Sequence, residues 1–400
     1  MPGFEVFGDE EKKEALEVFD TGVLFRYEFT EQRRGVYKVR EFEENYARYC
    51  GVSHAQAVTS GTAALKVALV ALGVGPGDEV ITQGFTFVAT WEAILDIGAV
   101  PVFTEIDETL NMDPADLERK ITPKTRAVIP VHMMGAAARI EEIQQIAARH
   151  GLPVIEDTAQ SPGASVNGRK LGSFGTCGTF SFDPVKTITT GEGGMVITND
   201  SELWRTLSEY QDHGHDHVPN PGGRGGEGRR FIGFNFRMME LQGALGLAQL
   251  AKLDGIIAAQ KNNKARMREA VAVIPGVTFR QYVDEAGDSA TFLSFLLPEA
   301  ARAKAVNAVL REKGAGAVYF AENTWHYYPQ WEHLLGSATL ARSGWPFIDG
   351  HGRRRVIYDP QALPKSAEMM GRTLVYQVPV KLSDERLAQI AAAAQAAALL

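Results

Sequence analysis

The sequence predicts an α/β fold built on a mostly parallel sheet, with a smaller α+β unit after it. Three observations carry this. Short apolar runs alternate with helical patterns between residues 55 and 156, which is the signature of βαβ units whose sheet is covered on both faces. The alternation breaks after Asp212, where residues 217–229 hold five glycines and two prolines without periodicity. From residue 277 strands and helices mix in another pattern. Composition agrees: the chain has 400 residues, 45% hydrophobic and 22% charged, as ordinary globular proteins do.

The elements follow in order. Residues 55–58 form a strand that runs into Ser60-Gly61-Thr62, and 63–72 then supply good helix formers. Residues 79–82 form a strand and 87–97 a helix; 100–103 and 127–131 are further strands. A helix over 139–150 leads to the strand 153–156. The segment 217–230 reads as a long functional loop. Residues 238–253 and 253–273 read as two helical stretches, the second linking two domains. The Ala-rich stretch 387–400 reads as a closing helix.

The charge balance narrows function. Forty-one basic and 49 acidic residues give a net charge of −8, so no nucleic-acid partner is expected, since that needs a basic face. No run of 18 apolar residues exists, so no membrane span is expected, and the N-terminus lacks a signal-peptide pattern. Two cysteines, Cys50 and Cys177, build neither a disulfide scaffold nor a four-cysteine zinc site. They read as small buried hydrophobes in a reducing compartment, and a cytoplasmic location is expected.

Three motifs carry chemistry. SGTAA at 60–64 places a glycine and a hydroxyl at a helix N-terminus, where free N–H groups and the dipole hold anions; a tight turn with an N-cap fits equally well. EDTAQ at 156–160 follows a strand directly, so Asp157 sits where ligands bind in such sheets, or caps a helix. Lys186 lies between the aromatic strand TFSF at 179–182 and the glycine-rich turn TTGEGG at 189–194; a lysine in apolar surroundings serves as a nucleophile when its pKa falls. Together, an anion cradle, a carboxylate and a lysine suit pyridoxal 5′-phosphate, whose phosphate, ring nitrogen and aldehyde need those groups.

The order of SGTAAL at 60–65, GDEVI at 77–81, TFVAT at 86–90, GAVPVF at 98–103, EDTAQSPGA at 156–164, KTITTGEGG at 186–194 and GFNFRMMELQGALGLAQL at 233–250 resembles the DegT/DnrJ/StrS family of sugar aminotransferases. That resemblance implies the fold-type-I architecture of pyridoxal-phosphate enzymes, with a seven-stranded sheet. It implies an N-terminal segment 1–35 near the active site, a cofactor domain 36–252 and a small domain 253–400. Lys186 then matches the lysine that takes the cofactor aldehyde and shuttles protons, and Asp157 the partner of the ring nitrogen. Gln160 matches the residue that bonds the 3-oxygen; Gly61, Thr62 and Ser181 match the phosphate site, and Phe87 the aromatic stacked on the ring. Asn235 matches the residue that reaches the neighbouring subunit's phosphate, which implies a homodimer with shared active sites. Family members with His in place of the lysine are dehydratases, and here Lys186 is intact.

The acceptor rests on other residues. Arg26 and the small-domain His326 are candidate substrate contacts, as is His215 within the cluster DHGHDH at 212–217. The histidines His213, His215 and His217 raise zinc as an alternative; no metal is expected. Arg224, Arg229 and Arg230 are candidate carboxylate contacts, with solvated charge the default. MPGFEVFG at the start, DHGHDH, GDSATFLSFLLP at 287–298 and NTWHYYPQW at 323–331 resemble the branch of the family that aminates an octulosonate sugar of lipopolysaccharide. The implied acceptor is the C8 aldehyde of 3,8-dideoxy-8-oxo-manno-octulosonate, with L-glutamate as donor. The alternatives are a nucleotide-linked 3- or 4-keto sugar, and a non-catalytic regulator that keeps the fold.

Overall fold

The computed structural model describes residues 2–217 and 228–400. Its first sheet is made by β1 (His54–Val58), β2 (Glu79–Gln83), β3 (Val100–Thr104), β4 (Thr125–Val128) and β5 (Ile155–Asp157), followed, after the small hairpin β6 (Ser165–Val166) and β7 (Arg169–Lys170), by β8 (Cys177–Ser181) and β9 (Gly194–Thr198). Ladders give the orders β1-β9-β8-β5 and β3-β2-β4. Parallel bridges Val128–Val154 and Val131–Asp157 join the two into a run of seven strands. Within this run only β9 is antiparallel to its neighbours. The expected mostly parallel sheet is therefore observed. β5, β8 and β9 are buried at every residue, because helices cover both faces.

The helix Gly61–Ala71 begins where Ser60 Oγ accepts the Ala63 N–H at 3.1 Å, an N-cap. The helix Ile140–Arg149 buries Ile140, Ile143, Ile146 and Ala147, the three-to-four spacing of one apolar stripe. Two boundaries differ from the sequence pattern. The strand expected over 127–131 ends at Val128, since Pro130 has no N–H for a ladder. The two stretches expected over 238–273 form one 32-residue helix, Glu240–Val271, about 48 Å long at 1.5 Å per residue. Gly255 inside it meets no neighbour and is tolerated, so residue 253 is not a break. This helix carries the chain from the first sheet to the second.

The second sheet is antiparallel, in the order β10 (Thr278–Phe279), β11 (Phe292–Leu296), β12 (Thr373–Gln377). It packs with the helices Ala300–Glu312 and Asp384–Ala397 around Leu293, Phe295, Val306, Leu310 and Leu374. The closing helix buries Ile390, Ala393, Ala394 and Ala397, so its alanines are contact surface. Cys50 and Cys177 are buried and free; burial pushes each thiol up to about 12, which keeps them inert.

The N-terminal segment is fastened to this frame. Arg33 and Glu240 are fully buried and pair at 2.8 Å, and the other Glu240 oxygen accepts the Val39 N–H at 3.0 Å. Removing one member of such a pair strands a buried charge. Glu240→Ala is expected to lower stability by about 3–5 kcal/mol, read as a fall in the urea midpoint; an unchanged midpoint would show that Arg33 finds other compensation.

Candidate active site

The carboxyl ends of the parallel strands meet at one cavity of about 610 Å³, mouth included, lined among others by Gly61, Thr62, Phe87, Asp157, Gln160, Ser181 and Lys186. Seven residues taken separately from the sequence are thus brought together. The position follows from topology: ligands on open α/β sheets bind beyond the strand ends.

At one side the helix Gly61–Ala71 points its N-terminus at Ser181. A Cβ on Gly61 would lie 2.6 Å from Ser181 Cβ, so only glycine leaves room there. A Cβ on Gly194 would lie 2.2 Å from the Ser60 carbonyl oxygen, which is why that strand can press against the cradle. The remaining hydroxyls and first-turn N–H groups form an anion site.

Asp157 ends β5 and is almost fully buried. Its Oδ2 accepts the Thr90 hydroxyl at 2.8 Å and its Oδ1 the Ala159 N–H at 3.2 Å. Thr90 has one proton and gives it to Asp157, so Thr86 Oγ1, 2.8 Å away, donates to Thr90. Burial raises the Asp157 carboxyl above its usual range, against Thr90, Ala159 and the charge of Lys186. Among the described residues no ion pair reaches it. A carboxylate this deep suits a cationic partner from outside the chain.

Neighbouring Glu156 has another task. It accepts the Gly172 and Gly175 N–H groups at 2.8 and 2.6 Å and meets His132 Nε2 at 2.9 Å. His132 Nδ1 accepts the Ala138 N–H, so Nε2 carries the proton that Glu156 receives. Glu156 therefore orients the end of β5 rather than facing the cavity.

Gln160 Oε1 accepts the Met134 N–H at 3.0 Å, which fixes its oxygen end and leaves the amide NH₂ to donate. Lys186 Nζ lies 5.6 Å from the centre of the Phe87 ring and 3.6 Å from Asp183 Oδ2. Asp183 Oδ1 accepts the Val185 N–H at 2.8 Å, so it caps the turn that presents the lysine. The Gly3 N–H donates to the Lys186 carbonyl at 3.2 Å, which sets the N-terminal segment directly behind this turn.

The substrate candidates separate. His326 touches Phe87, ring centres 5.2 Å apart; Trp325 stacks on Phe87 at 5.7 Å with planes 6° apart. Burial and the nearby Lys186 charge push the His326 imidazole down to about 4. Arg26 is instead engaged: its guanidinium holds both Glu43 oxygens at 2.7 and 2.8 Å and the Ala57 carbonyl at 3.1 Å. This corrects the expectation of a free substrate arginine. Phe25 and Tyr27 around it gave no sign of a glutamate 17 residues away.

His215 lies outside the cavity lining, bridged to Arg229. Asp212, His215 and His217 bring ligand atoms within 4.8 Å of one another, without His213. Arg237 already pairs with Asp212, and Tyr27 stacks on His217 at 4.2 Å. Arg230 pairs with Glu209 at 2.6 Å; Arg224 and most of the 217–230 loop lie outside the described residues. Asn235 is exposed and apart from the cavity of its own chain. Thr90, Asn323 and Trp325 were quoted only within motifs, and their contacts escaped the sequence reading, because such partners show only in space.

If Arg26 is structural, Arg26→Ala leaves Glu43 buried and unpaired, at about 3–5 kcal/mol. The urea midpoint should fall accordingly. Wild-type stability in that variant would return Arg26 to the list of substrate contacts.

The profile of the DegT/DnrJ/EryC1/StrS aminotransferase family matches residues 10–344. GDP-perosamine synthase of Caulobacter vibrioides is 46% identical over 226 residues, 55% of this chain and 58% of that protein. The matched stretch thus covers less than two thirds of that relative. UDP-N-acetyl-3-dehydro-alpha-D-glucosamine 3-aminotransferase of Acidithiobacillus ferrooxidans is 35% identical over 362 residues, 88% of this chain and 86% of that protein. The crystal structure of an aminotransferase from Psychrobacter cryohalolentis superposes with a TM-score of 0.82 at 26% identity, covering 98% of this chain and 96% of that one. With its fold-type-I architecture and its lysine–aspartate cavity, the chain belongs to the DegT/DnrJ/EryC1/StrS aminotransferase family, whose cofactor is pyridoxal phosphate.

Proposed function

We propose that the protein is a sugar aminotransferase that moves an amino group from L-glutamate to the carbonyl of a sugar with pyridoxal phosphate. The observation that carries this is the shared cavity of Lys186 and Asp157, with Phe87 beneath the lysine. The residues fit the cofactor. Gly61, Thr62 and Ser181 would form the anion cradle; among the described residues the Gln160 NH₂ has no partner and stays available for the 3-oxygen, and no cation pairs with the buried Asp157.

When bound, pyridoxal phosphate supplies an aldehyde that captures amines and a protonated ring that accepts electron density. Lys186 Nζ would hold the aldehyde and, once displaced by the donor's amine, would take the proton from the donor's α-carbon as general acid and base. Asp157 would keep the ring nitrogen protonated, its Oδ2 held by the Thr86–Thr90 relay and its Oδ1 by the Ala159 N–H. Phe87 supplies a flat apolar wall. Glutamate is turned into 2-oxoglutarate in the first half of the reaction, and the sugar carbonyl takes the amino group in the second.

Two acceptors have separate support. A nucleotide-linked keto sugar is supported by the sugar nucleotides in the names of the relatives above. The C8 aldehyde of 3,8-dideoxy-8-oxo-manno-octulosonate is supported by the segment 323–331, which carries the narrower resemblance and packs on Phe87 through Trp325 and His326. A homodimer with shared sites is supported by Asn235, exposed beside Ile232, Phe234 and Met239.

Lys186→Ala should lose the visible absorbance of lysine-bound cofactor and nearly all turnover; retained turnover would sink the proposal. Purified enzyme with L-glutamate, offered GDP-4-keto-6-deoxymannose or the 8-oxo octulosonate in turn, should aminate one at least a hundredfold better in kcat/KM, about 2.7 kcal/mol of discrimination. Equal rates would show that neither acceptor is selected.

A further inference from the structure

His326 sits beside the cavity wall, and its hydrogen bonds define which of its nitrogens carries a proton. Its Nδ1 lies 3.0 Å from Asn323 Oδ1. The same Oδ1 lies 2.9 Å from the Trp325 backbone nitrogen. A backbone N–H is always a donor, so this end of the amide is the oxygen. An amide oxygen has no proton to give, so His326 Nδ1 must hold one and donate it. The imidazole is neutral, since desolvation and the Lys186 charge oppose a second cation. A neutral ring has one proton, and Nδ1 has it. Nε2 is left as a lone pair, with no hydrogen-bond partner among the described residues.

The ring is also fixed in place. The His326 carbonyl accepts the Thr86 N–H at 3.0 Å, and the Trp325 carbonyl accepts the Val88 N–H at 2.9 Å. Phe87, between those two donors, touches the imidazole, and Phe320 meets it edge-on at 5.2 Å. Nε2 therefore has a set direction and a set role as acceptor.

We propose that Asn323 is a positioning residue for the second half of the reaction: it locks His326 in the Nδ1–H form so that Nε2 accepts a hydroxyl of the incoming sugar. This rests on the aminotransferase reading. It adds a rule about the substrate. A lone pair attracts a hydroxyl and repels a carboxylate or phosphate, so the acceptor presents a hydroxyl to His326 and its anionic group lies elsewhere. L-Glutamate has no hydroxyl and does not use the lock.

The test separates the lock from mere loop structure. Asn323→Ser keeps an oxygen that can accept the Trp325 N–H in the same kind of turn, but is too short to reach the imidazole as well. Asn323→Ala removes both bonds. In cofactor-loaded enzyme both variants should leave the rate of the glutamate half-reaction unchanged, and both should raise KM for the acceptor roughly tenfold, the value of one hydrogen bond. The acceptors used are GDP-4-keto-6-deoxymannose and 3,8-dideoxy-8-oxo-manno-octulosonate. If Asn323→Ser restores wild-type KM, the role is structural and the proposal falls.

A second readout needs no acceptor. ¹⁵N NMR of histidine-labelled protein, with the signal assigned by its loss in His326→Gln, should show a protonated Nδ1 and a bare Nε2 at neutral pH. In both Asn323 variants the two forms should mix. A protonated Nε2 in the wild type overturns the proposal directly. Failure of the wild-type half-reaction with glutamate overturns the aminotransferase reading instead, and leaves the tautomer result standing as a fact about the loop.

Discussion

A carboxylate buried with no ion-pair partner among the described residues is the constraint around which this structure is arranged. Asp157 lies at the end of a wholly buried strand, and its oxygens are satisfied by one hydroxyl and one backbone N–H. Burial of this kind costs several kcal/mol unless a positive charge or strong donors compensate. The sheet, the Thr86–Thr90 relay and the Glu156–His132 brace together hold the carboxylate where water would otherwise draw it out. Parallel topology is what makes this possible, because it delivers the ends of β1, β5 and β8 to a single edge. The anion cradle at Gly61 and Ser181, the carboxylate and the lysine turn are thus products of one strand order.

The same constraint ties the two sheets together. Thr86, whose hydroxyl feeds Thr90, gives its backbone N–H to His326, and Val88 gives its own to Trp325. The start of one helix therefore reads the cofactor side through hydroxyls and the small-domain loop through N–H groups. Phe87 lies between them in the chain, with Lys186 Nζ 5.6 Å from its ring centre and the Trp325 and His326 rings at 5.7 and 5.2 Å. These backbone bonds hold the loop 323–326 against the start of that helix independently of the Asn323 side chain.

Much of this was legible in the sequence, for a physical reason. Strand and helix periodicity is local, so residues 55–156 disclosed their alternation, and alternation fixes a parallel sheet with ligands at its carboxyl edge. Gly61, Asp157 and Lys186 stand next to those strand ends in the chain itself, so position in sequence stood for position in space. Partnerships across the fold were not legible. Arg26 looked free because Glu43 is distant in sequence, and the helix Glu240–Val271 looked divided because polar Gln260, Asn263 and Lys264 interrupt its apolar buried stripe. Asn323 looked like loop polarity, since nothing in the run Asn323–Thr324–Trp325–His326 reveals that one oxygen serves two donors.

The electrostatics of the site explain why its histidine is neutral. The chain is acidic overall, at −8, yet the cavity has to accept an anionic phosphate, a cationic ring nitrogen and an amine that gains and loses a proton. On the proposed reading each has a counterpart: backbone N–H groups for the phosphate, Asp157 for the ring, and Asp183 beside Lys186. A charged imidazole near the lysine would depress the lysine's proton affinity and repel the donor's ammonium group. A neutral imidazole with a fixed tautomer avoids both effects and still offers a directed lone pair. On the proposed reading, charge would be reserved for the chemistry that transfers the amino group, and His326 would meet a sugar hydroxyl through an uncharged hydrogen bond. An uncharged polyol surface is best distinguished by the direction of such bonds, and direction is what Asn323 confers on His326.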